Sequence, residues 1–540
     1  MTTTDQPRAT PHVPRAVSLP RTFAAAVRGG PAALAVALVG GLLLAASFPP
    51  LGWWPLAPVG PALLLFVLRR RRMRTAFALG TVFGLAFFGP LLLWLTNLGV
   101  LPWAVLSVVQ ALLLGALSCA VPVLDRLPAW PLWAAAWWVT AEAIRSRVPL
   151  GGFPWGRLAF SQADAPTLGW AAIGGAPAVS AVVALAAACL AALLGGTTVR
   201  AGRRAGAGLV VALVLCAAGA LFVPSGAVGG DDRSATVAVV QGNVPRGRSL
   251  EEQARVERVA DNHIDATREL ARDIRAGRAP QPDIVLWPEN ATDRDPRADP
   301  GLRRRISVVA AEVGAPLVVG AILDAPGDRI RNSSLLWDPV TGPGPYSTKQ
   351  HLVPFGEYIP ARGLLGGFGD LQLIPRDFIA GSEPVRLDAG PVRLAASICY
   401  EVAYDSQVRG AVRTGANLIA VPTNNATYMR NGSTAEPEQQ LAMSRLRAVE
   451  HNRSVLVAST TGISAVVTPD GRVVESTGPW TRDVLTATVP LRTSESLATR
   501  VGTLPELLVG LAALGATGLG VHRARRAKSP GANTGAGADA

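Results

Sequence analysis

The sequence predicts a polytopic α-helical membrane protein with eight spans, which carries one large α/β domain outside the cytoplasm. Three observations predict this fold class: apolar runs of membrane-spanning length, arginine clusters between those runs, and an uneven distribution of acidic residues. The chain has 540 residues, of which 49% are hydrophobic and 16% charged. Soluble chains are about 25% charged on average. Only four of the 38 acidic residues precede residue 231, so the other 34 lie in a normally charged second part.

Seven apolar runs precede the charged part and an eighth follows it. A helix needs about 20 mostly apolar residues to cross a bilayer. The predicted spans are residues 31–48, 53–69, 75–97, 102–124, 129–145, 168–195, 207–223 and 501–521. These runs divide the chain into a flexible cytoplasmic leader (1–28), a seven-span bundle (29–226), a polar domain (231–490), the eighth span (501–521) and a disordered cytoplasmic tail (522–540).

Arginine clusters predict the orientation of the spans. With the N-terminus inside, the loops after the second, fourth and sixth spans and the tail are cytoplasmic, and all four are basic, as the positive-inside rule requires. The polar domain then lies on the outer side of the cell membrane. Arg145, Arg147 and Arg157 lie near that outer side as well. Their side chains either snorkel to the interface or contact a lipid phosphate.

The net charge of +13 does not indicate nucleic-acid binding. The arginines stand in short clusters between apolar runs, and no basic stripe is interleaved with aromatic residues. No Cys/His spacing suggests a metal site.

The polar domain has the pattern of a layered α/β fold. Short apolar runs with strand character at 235–241, 283–287, 316–322, 392–398, 416–421 and 455–459 alternate with helical patterns at 250–275 and 434–452. Such alternation predicts a sheet covered by helices.

Three polar clusters directly follow apolar strands of this domain. They are Trp287-Pro288-Glu289-Asn290, Ser397-Ile398-Cys399-Tyr400-Glu401 and Pro422-Thr423-Asn424-Asn425. Ligand sites of α/β sheets collect at the C-terminal ends of strands. The three clusters therefore predict one site.

Cys399 and Glu289 are the candidate nucleophile and base. Cys399 is the one cysteine of residues 231–490, so this domain cannot form an internal disulfide. A deprotonated thiol can attack an acyl carbon when a base or cation promotes it. The alternatives are a buried structural cysteine and a solvated or capping glutamate.

Lys349 is the candidate oxyanion stabiliser. Of the 51 basic residues only Lys349 and Lys528 are lysines. An ammonium approaches an oxyanion as a compact charge, which a planar guanidinium does less well. The alternative explanation is that a lysine stands at position 349 by chance.

The domain resembles the nitrilase, or carbon–nitrogen hydrolase, superfamily, whose triad is Glu–Lys–Cys in this order. The chain from about residue 31 to about 521 resembles the membrane branch of that superfamily, the apolipoprotein N-acyltransferases. The resemblance rests on the spans, the loop Gly152-Phe153-Pro154-Trp155-Gly156, the run from Lys349 to Pro360 and Cys399-Tyr400-Glu401. It implies an α-β-β-α sandwich for the polar domain.

The resemblance also implies supporting residues. Glu357 is similar to an additional essential acid and Glu401 to another functional position; a salt bridge and a surface charge are the alternatives. Tyr400 is expected to pack beside the nucleophile, and Asn424 belongs to a site loop. One departure concerns that loop: the family often has Asn-Asp-Ala-Trp where this chain has Asn-Asn-Ala-Thr, with the aromatic displaced to Tyr428.

The function that the resemblance implies is transfer of a fatty acyl chain from a phospholipid to the N-terminal amine of a diacylglyceryl-modified apolipoprotein, without a cofactor. The cysteine chemistry fits a thioester route. A membrane-tethered amidase is the alternative enzyme, and it predicts a water-filled site and a dispensable bundle. A transporter or scaffold is the alternative from another class.

Overall fold

The computed structural model describes residues 30–196, 198–229, 233–245, 252–360, 362–365 and 376–526. The predicted leader (1–28) and the predicted tail from residue 527 onward lie outside the described residues. Residues 522–526, which we assigned to the tail, belong to the last helix.

The first part of the described chain is a bundle of apolar helices, with a helix at each of the seven predicted spans. The helices are α1 (Gly30–Ala46), α2 (Val59–Leu68), α3 (Met73–Leu91), α4 (Val100–Ser118), α5 (Val121–Leu124), α6 (Trp130–Arg145), α7 (Trp170–Leu194) and α8 (Val199–Ala218).

Five helical stretches of the described residues are long and apolar enough to cross a membrane. They are Met73–Leu91, Val100–Leu124, Pro166–Leu194, Val199–Phe222 and Leu504–Arg526. Gly30–Ala46 and Trp54–Leu68 are apolar but shorter. The structure therefore supports several spans, and the number eight remains a prediction.

Glycines let the first helices of the bundle pack closely. A Cβ atom on Gly41 of α1 would lie 2.3 Å from the carbonyl oxygen of Phe83 in α3. One on Gly84 of α3 would lie 2.6 Å from the Cα of Ala111 in α4. Because lipid tails are as apolar as leucine, such close packing, and not hydrophobic burial, holds helices together in a membrane.

The polar domain contains twelve strands among its described residues. Its elements are β1 (Arg233–Gln241), α9 (Glu252–Arg275), β2 (Ile284–Leu286), α10 (Pro300–Val313), β3 (Leu317–Ala325), β4 (Arg329–Asp338), β5 (Gly342–Thr348), α11 (Arg362–Leu365), β6 (Arg386–Ala389), β7 (Val392–Ala396), α12 (Asp405–Arg413), β8 (Leu418–Thr423), α13 (Ala435–His451), β9 (Ser454–Ser459), β10 (Ala465–Val467), β11 (Val473–Ser476) and β12 (Asp483–Leu491). Two helices follow it, α14 (Leu497–Val501) and α15 (Leu504–Arg526). The six predicted strands and both predicted helices are present, with boundaries shifted by a few residues.

The strands form two six-stranded sheets, ordered β12-β1-β2-β3-β4-β5 and β11-β10-β9-β8-β7-β6. Strands β1, β2 and β3 are parallel in the first sheet, and β7, β8 and β9 are parallel in the second. The outer strands of both sheets pair antiparallel. The C-terminal ends of parallel strands lie along one edge of a sheet, where α/β proteins bind ligands.

The sheets pack face to face, with helices on their outer faces. Val237, Leu286 and Val318 of the first sheet meet Leu418 and Leu456 of the second in one buried cluster. Helices α9 and α10 cover the other face of the first sheet. Helix α13 covers the second sheet, which completes an α-β-β-α sandwich.

Helix α13 also joins the sandwich to the bundle. Its residues Met443 and Leu446 belong to one continuous apolar cluster that includes Phe87 and Val183 of the bundle. Its residue Gln439 accepts hydrogen bonds from the indole nitrogens of Trp94 (3.3 Å) and Trp155 (2.6 Å). The Gln439 amide nitrogen donates to the Pro49 and Leu91 carbonyls. This one buried side chain therefore binds four groups of the bundle.

Buried arginines reinforce the joint. Arg157 lies 2.7 Å from Asp405, 3.6 Å from Glu142 and 3.9 Å from Glu506, so one side chain connects α12, α6 and α15. Arg145 donates to the carbonyls of Phe153 (2.8 Å) and Trp155 (2.7 Å).

Both interpretations that we gave for the outer arginines are wrong for two of them. Arg145 is 4% exposed and Arg157 is 2% exposed, so neither side chain snorkels to an interface or is open to a lipid phosphate. The physical reason is that protein groups replace the water: backbone carbonyls accept from Arg145, and three carboxylates lie within 4 Å of Arg157. Arg147 is half exposed and pairs with Glu506.

We predict that Asp405→Asn destabilises the protein strongly. Asp405 accepts a hydrogen bond from Arg157 (2.7 Å) and forms an ion pair with Arg447 (2.8 Å), so the substitution leaves both buried guanidinium groups without their shared carboxylate. Removing one partner of a buried ion pair costs about 3 kcal/mol or more. The measurement is the thermal unfolding midpoint in detergent.

The matched control is Asp388→Asn, which removes an exposed carboxylate paired with Arg386 at 2.6 Å. An exposed pair contributes at most about 1 kcal/mol. Equal losses of stability in the two variants would contradict a structural role for the buried network.

Candidate active site

The structure brings four predicted site residues together from the C-terminal ends of strands in both sheets. Glu289 comes after β2, Lys349 directly after β5, Cys399 after β7 and Asn424 directly after β8. Glu289 and Lys349 are the two groups whose charges act most strongly on the pKa of the Cys399 thiol. The polar clusters that we singled out in the sequence thus meet at one place.

Lys349 lies between two carboxylates. Its Nζ is 3.2 Å from Glu289 Oε1 and 3.0 Å from Glu357 Oε1, and the side chain is 2% exposed. Burial alone would lower the pKa of the ammonium, but the charges of Glu289 and Glu357 raise the pKa of Lys349 well above its ordinary value. The lysine is therefore a fixed positive charge at every physiological pH.

Neutral donors hold the two carboxylates in place. The Asn332 side chain donates to Glu289 Oε1 (2.6 Å) and to Glu357 Oε1 (3.0 Å). The backbone N–H of Asn424 donates to Glu289 Oε2 (2.9 Å), and that of Val353 donates to Glu357 Oε2 (2.8 Å). Each carboxylate therefore has a fixed orientation, which a general base requires.

Cys399 stands at a strained turn. Its φ is +56°, in the left-handed region that non-glycine residues rarely adopt, and it begins a short 3-10 helix that ends at Ala403. Strain of this kind concentrates at functional sites, where it aims a side chain. Burial raises the pKa of the thiol far above its ordinary value, Glu289 raises it further, and Lys349 lowers it. The resting cysteine is thus a neutral thiol.

Glu401 joins the lysine loop to the cysteine turn. Its Oε1 accepts from the backbone N–H groups of Gln350 (2.6 Å) and His351 (3.0 Å), and its Oε2 accepts from that of Ile398 (2.7 Å). The residue is 1% exposed, so it is not the surface charge that we gave as an alternative. Burial raises the pKa of Glu401 to about 7, against the effect of these donors and of Lys349.

Asn424 contributes to the site through its backbone. Its N–H binds Glu289, whereas its side-chain oxygen accepts from Thr460 Oγ1 (2.9 Å). The next residue, Asn425, points its side chain at Glu436 and Gln440 of α13. The predicted residue therefore reaches Glu289 with its backbone N–H, and the neighbouring Asn425 directs its side chain toward α13.

Aromatic side chains of the bundle close the site on one side. Tyr400 stacks on Phe153 and Trp155, with ring centroids 6.1 and 6.2 Å apart. Tyr428, the displaced aromatic, packs edge-on against Trp94 at 5.0 Å, and Asn97 donates to its backbone carbonyl (2.7 Å). Burial raises the pKa of the Tyr428 hydroxyl. The displaced aromatic therefore belongs to the buried interface between the sandwich and the bundle.

Three buried polar residues of the site escaped sequence reasoning: Asn332, Glu436 and Gln440. Asn332 lies on β4, a strand that we did not predict. Glu436 and Gln440 lie one helical turn apart on α13, a helix that we did predict. The signal was their spacing of four residues, which places both on one face of the helix.

Comparisons with known proteins agree with the two parts of the chain. Residues 40–189 match the family described as apolipoprotein N-acyltransferase N-terminal domain, and residues 236–499 match the family described as carbon-nitrogen hydrolase. An amidase from Nesterenkonia sp. AN1 is similar with a TM-score of 0.36 and 21% identity, over 52% of this chain and 99% of that chain. The family match at 236–499 places the sandwich in the carbon–nitrogen hydrolase class, and the helical bundle that carries it contains the other family match.

Full-length relatives identify the branch. An apolipoprotein N-acyltransferase of Mycolicibacterium smegmatis is 39% identical over 89% of this chain and 84% of its own length. One of Geobacter metallireducens is 32% identical over 86% of this chain and 91% of its own length. The chain belongs to the apolipoprotein N-acyltransferase family. The family resemblance that we gave from the sequence is confirmed.

Proposed function

We propose that this enzyme transfers a fatty acyl chain from a phospholipid to the α-amine of an S-diacylglyceryl cysteine at the N-terminus of an apolipoprotein. The observation that carries the proposal is the geometry around Cys399. A buried thiol, a fixed ammonium at Lys349 and an oriented carboxylate at Glu289 converge where the sandwich meets the bundle. Family membership supports the acyltransferase activity.

In the first step Cys399 attacks the ester carbon of the phospholipid. The thiol proton passes to the Glu289 carboxylate as the bond from sulfur to carbon forms. Lys349 stabilises the negative charge that develops on the ester oxygen. The bond from carbon to the glycerol oxygen then breaks, Glu289 returns its proton to that oxygen, and a lysophospholipid leaves.

In the second step the apolipoprotein amine attacks the thioester carbon. Glu289 takes a proton from the amine as the carbon–nitrogen bond forms, and Lys349 again faces the oxyanion. The carbon–sulfur bond breaks, and Glu289 returns the proton to the sulfur. The products are an amide on the lipoprotein and the resting thiol.

Glu357, Glu401, Tyr400 and Asn424 are proposed as positioning residues. Glu357 holds the ammonium of Lys349 against Glu289, and Glu401 ties the lysine loop to the cysteine turn. Tyr400 packs on the bundle loop, and the Asn424 backbone orients Glu289.

The tethered-amidase alternative is not favoured. An amidase has no need of an apolar surface beside its site, but here Tyr400, Trp155 and Tyr428 belong to the apolar cluster that the sandwich shares with the bundle. Apolar surroundings limit the access of water to a thioester. The bundle is also joined to the sandwich by one apolar core, so it is not a dispensable tether.

The proposed topology has eight spans and places the domain at 231–490 outside the cytoplasm. The seven-span bundle at 29–226 precedes it, and the span at 501–521 returns the chain to the cytoplasm. Basic residues in the loops of the opposite side support this orientation. Both substrates of the reaction are anchored in lipid, so the site must open at the membrane surface.

Cys399 is expected to carry a thioester when the purified enzyme meets phospholipid without an acceptor. Intact-mass analysis should show an added fatty acyl group that neutral hydroxylamine removes. The matched control is Cys399→Ala, which keeps the thiols of Cys119, Cys189 and Cys216. The same labile adduct on the control protein would refute the assignment of the nucleophile.

The topology is testable with two engineered thiols and a membrane-impermeant maleimide. Val340, at the exposed β4–β5 turn, and Arg72, in a basic loop, are replaced by cysteine one at a time. In intact cells with the outer barrier opened, Val340→Cys should be labelled at once, and Arg72→Cys only after lysis. The opposite pattern would overturn the orientation.

Lys349→Arg should fold but lose nearly all transfer. The charge is kept, yet a planar guanidinium is too broad for a 2%-exposed position between two carboxylates. Loss of one oxyanion donor lowers the rate by about 10²–10³-fold. The assay is acyl transfer from phospholipid to a diacylglyceryl peptide, beside a thermal melt. Near-native turnover by a well-folded variant would show that only the charge matters.

A further inference from the structure

Cys399 has a neighbour that the reaction scheme above does not use. The Gln440 side chain, 1% exposed on α13, has its Nε2 3.8 Å from Cys399 Sγ, within hydrogen-bonding distance for sulfur. Buried amides in proteins are normally fully hydrogen bonded. A hydrogen-bond donor aimed at the sulfur is therefore a feature to explain.

A series of hydrogen bonds, which begins at the backbone N–H of Gly462, fixes the orientation of the Gln440 amide. The Gly462 N–H can only donate, and it donates to Ser459 Oγ (2.8 Å). The Ser459 hydroxyl proton then goes to Asn425 Oδ1 (2.6 Å), so Asn425 presents its N–H₂ group to the other side. That group donates to Gln440 Oε1 (3.1 Å), which leaves the Gln440 N–H facing the sulfur.

The hydrogen-bonded side chains between Gly462 and Gln440 lie in a closely packed region. A Cβ atom at Gly462 would lie 2.5 Å from both Asn425 Oδ1 and Ser459 Oγ, so no larger residue fits beside it. Glu436 accepts another hydrogen bond from the Asn425 amide at 2.6 Å. All of these side chains are buried, so water does not compete with the hydrogen bonds between them.

A hydrogen-bond donor beside the Cys399 sulfur stabilises negative charge in surroundings that oppose it. Glu289 acts against a negative charge on Cys399, whereas Lys349 and the Thr423 side chain favour it. Burial raises the pKa of Glu436 to about 8, so this carboxyl is largely neutral at pH 7. The sulfur must nevertheless become negative as its proton moves to Glu289.

We propose that Gln440 is a further catalytic residue, whose N–H stabilises the sulfur of Cys399 as it loses its proton. The inference rests on the proposed thioester route and adds a donor to it. The same N–H stabilises the sulfur again when the carbon–sulfur bond of the thioester breaks. Asn425, Glu436 and Ser459 are positioning residues that hold the amide in this orientation.

Two variants separate the donor from the shape of the side chain. Gln440→Met keeps the length and removes the N–H. Gln440→Glu keeps the shape and the oxygen that accepts from Asn425, but an ionised carboxylate places no donor on the sulfur. Ser444→Ala is the matched control, since Ser444 is buried on the same helix and donates only to the Gln440 backbone carbonyl (3.0 Å).

The first readout is the alkylation of Cys399 by iodoacetamide across pH 6 to 10, followed on the Cys399 peptide by mass spectrometry. A hydrogen bond to a charged group corresponds to about tenfold in an equilibrium. Gln440→Met should therefore shift the pH profile of Cys399 upward by about one unit. Gln440→Glu should shift it at least as far, and Ser444→Ala should leave it unchanged.

The second readout is the rate of thioester formation in a single turnover with phospholipid. Both Gln440 variants should form the thioester about tenfold more slowly than the wild type, at an unchanged melting temperature. If Gln440→Met forms the thioester at the wild-type rate with an unshifted profile, the amide only fills space and the inference is wrong. Absence of a thioester in the wild type would instead refute the proposed function, while the alkylation profile still tests Gln440.

Discussion

The buried ammonium of Lys349 lies between two carboxylates, and the arrangement of the site depends on these two ion pairs. Lys349 pulls Glu289 and Glu357 to about 3 Å from its Nζ, although two like charges in a dry place would otherwise separate. The Asn332 side chain donates hydrogen bonds to the same two oxygens, which reduces the repulsion between the two carboxylates. The proposed base, the proposed oxyanion donor and the loop that carries this donor thus share one hydrogen-bonded unit. Removing the charge would leave two buried carboxylates uncompensated, which is strongly destabilising.

The bundle takes part in positioning this unit through helix α13. Gln439 on this helix binds four groups of the bundle, and the adjacent Gln440 reaches the sulfur of Cys399. Farther along, Arg447 donates to the carbonyls of Val402 and Ala403, which close the turn that begins at Cys399. One rigid helix thus contacts the membrane part with one face and the nucleophile with another. The spans are therefore part of the catalytic architecture as well as an anchor.

The sequence was sufficient for the residues that follow predicted strands and insufficient for those brought in by tertiary packing. Glu289 and Cys399 could be found because a polar residue after an apolar strand is a local signal, and Lys349 because lysine is so rare in this chain. In the sequence, Gln440 looks like any polar residue of an amphipathic helix, so no local pattern marks it as a site residue. Arg157 finds its carboxylate 248 residues away, a distance at which local patterns carry no information. The prediction of eight spans has a different limit, because the length of a short apolar helix does not show whether the helix crosses a membrane.

The protonated resting state of Cys399 follows from the same arrangement and suits the substrates. A thiol held neutral by burial and by Glu289 reacts poorly with stray electrophiles, whereas a thiolate would react with any of them. Its proton can leave only when a carbonyl carbon stands in place and the developing charge is shared with that carbonyl oxygen beside Lys349. Activation of the nucleophile and stabilisation of the oxyanion therefore occur together. In the proposed reaction, the ester carbonyl of the phospholipid meets this condition.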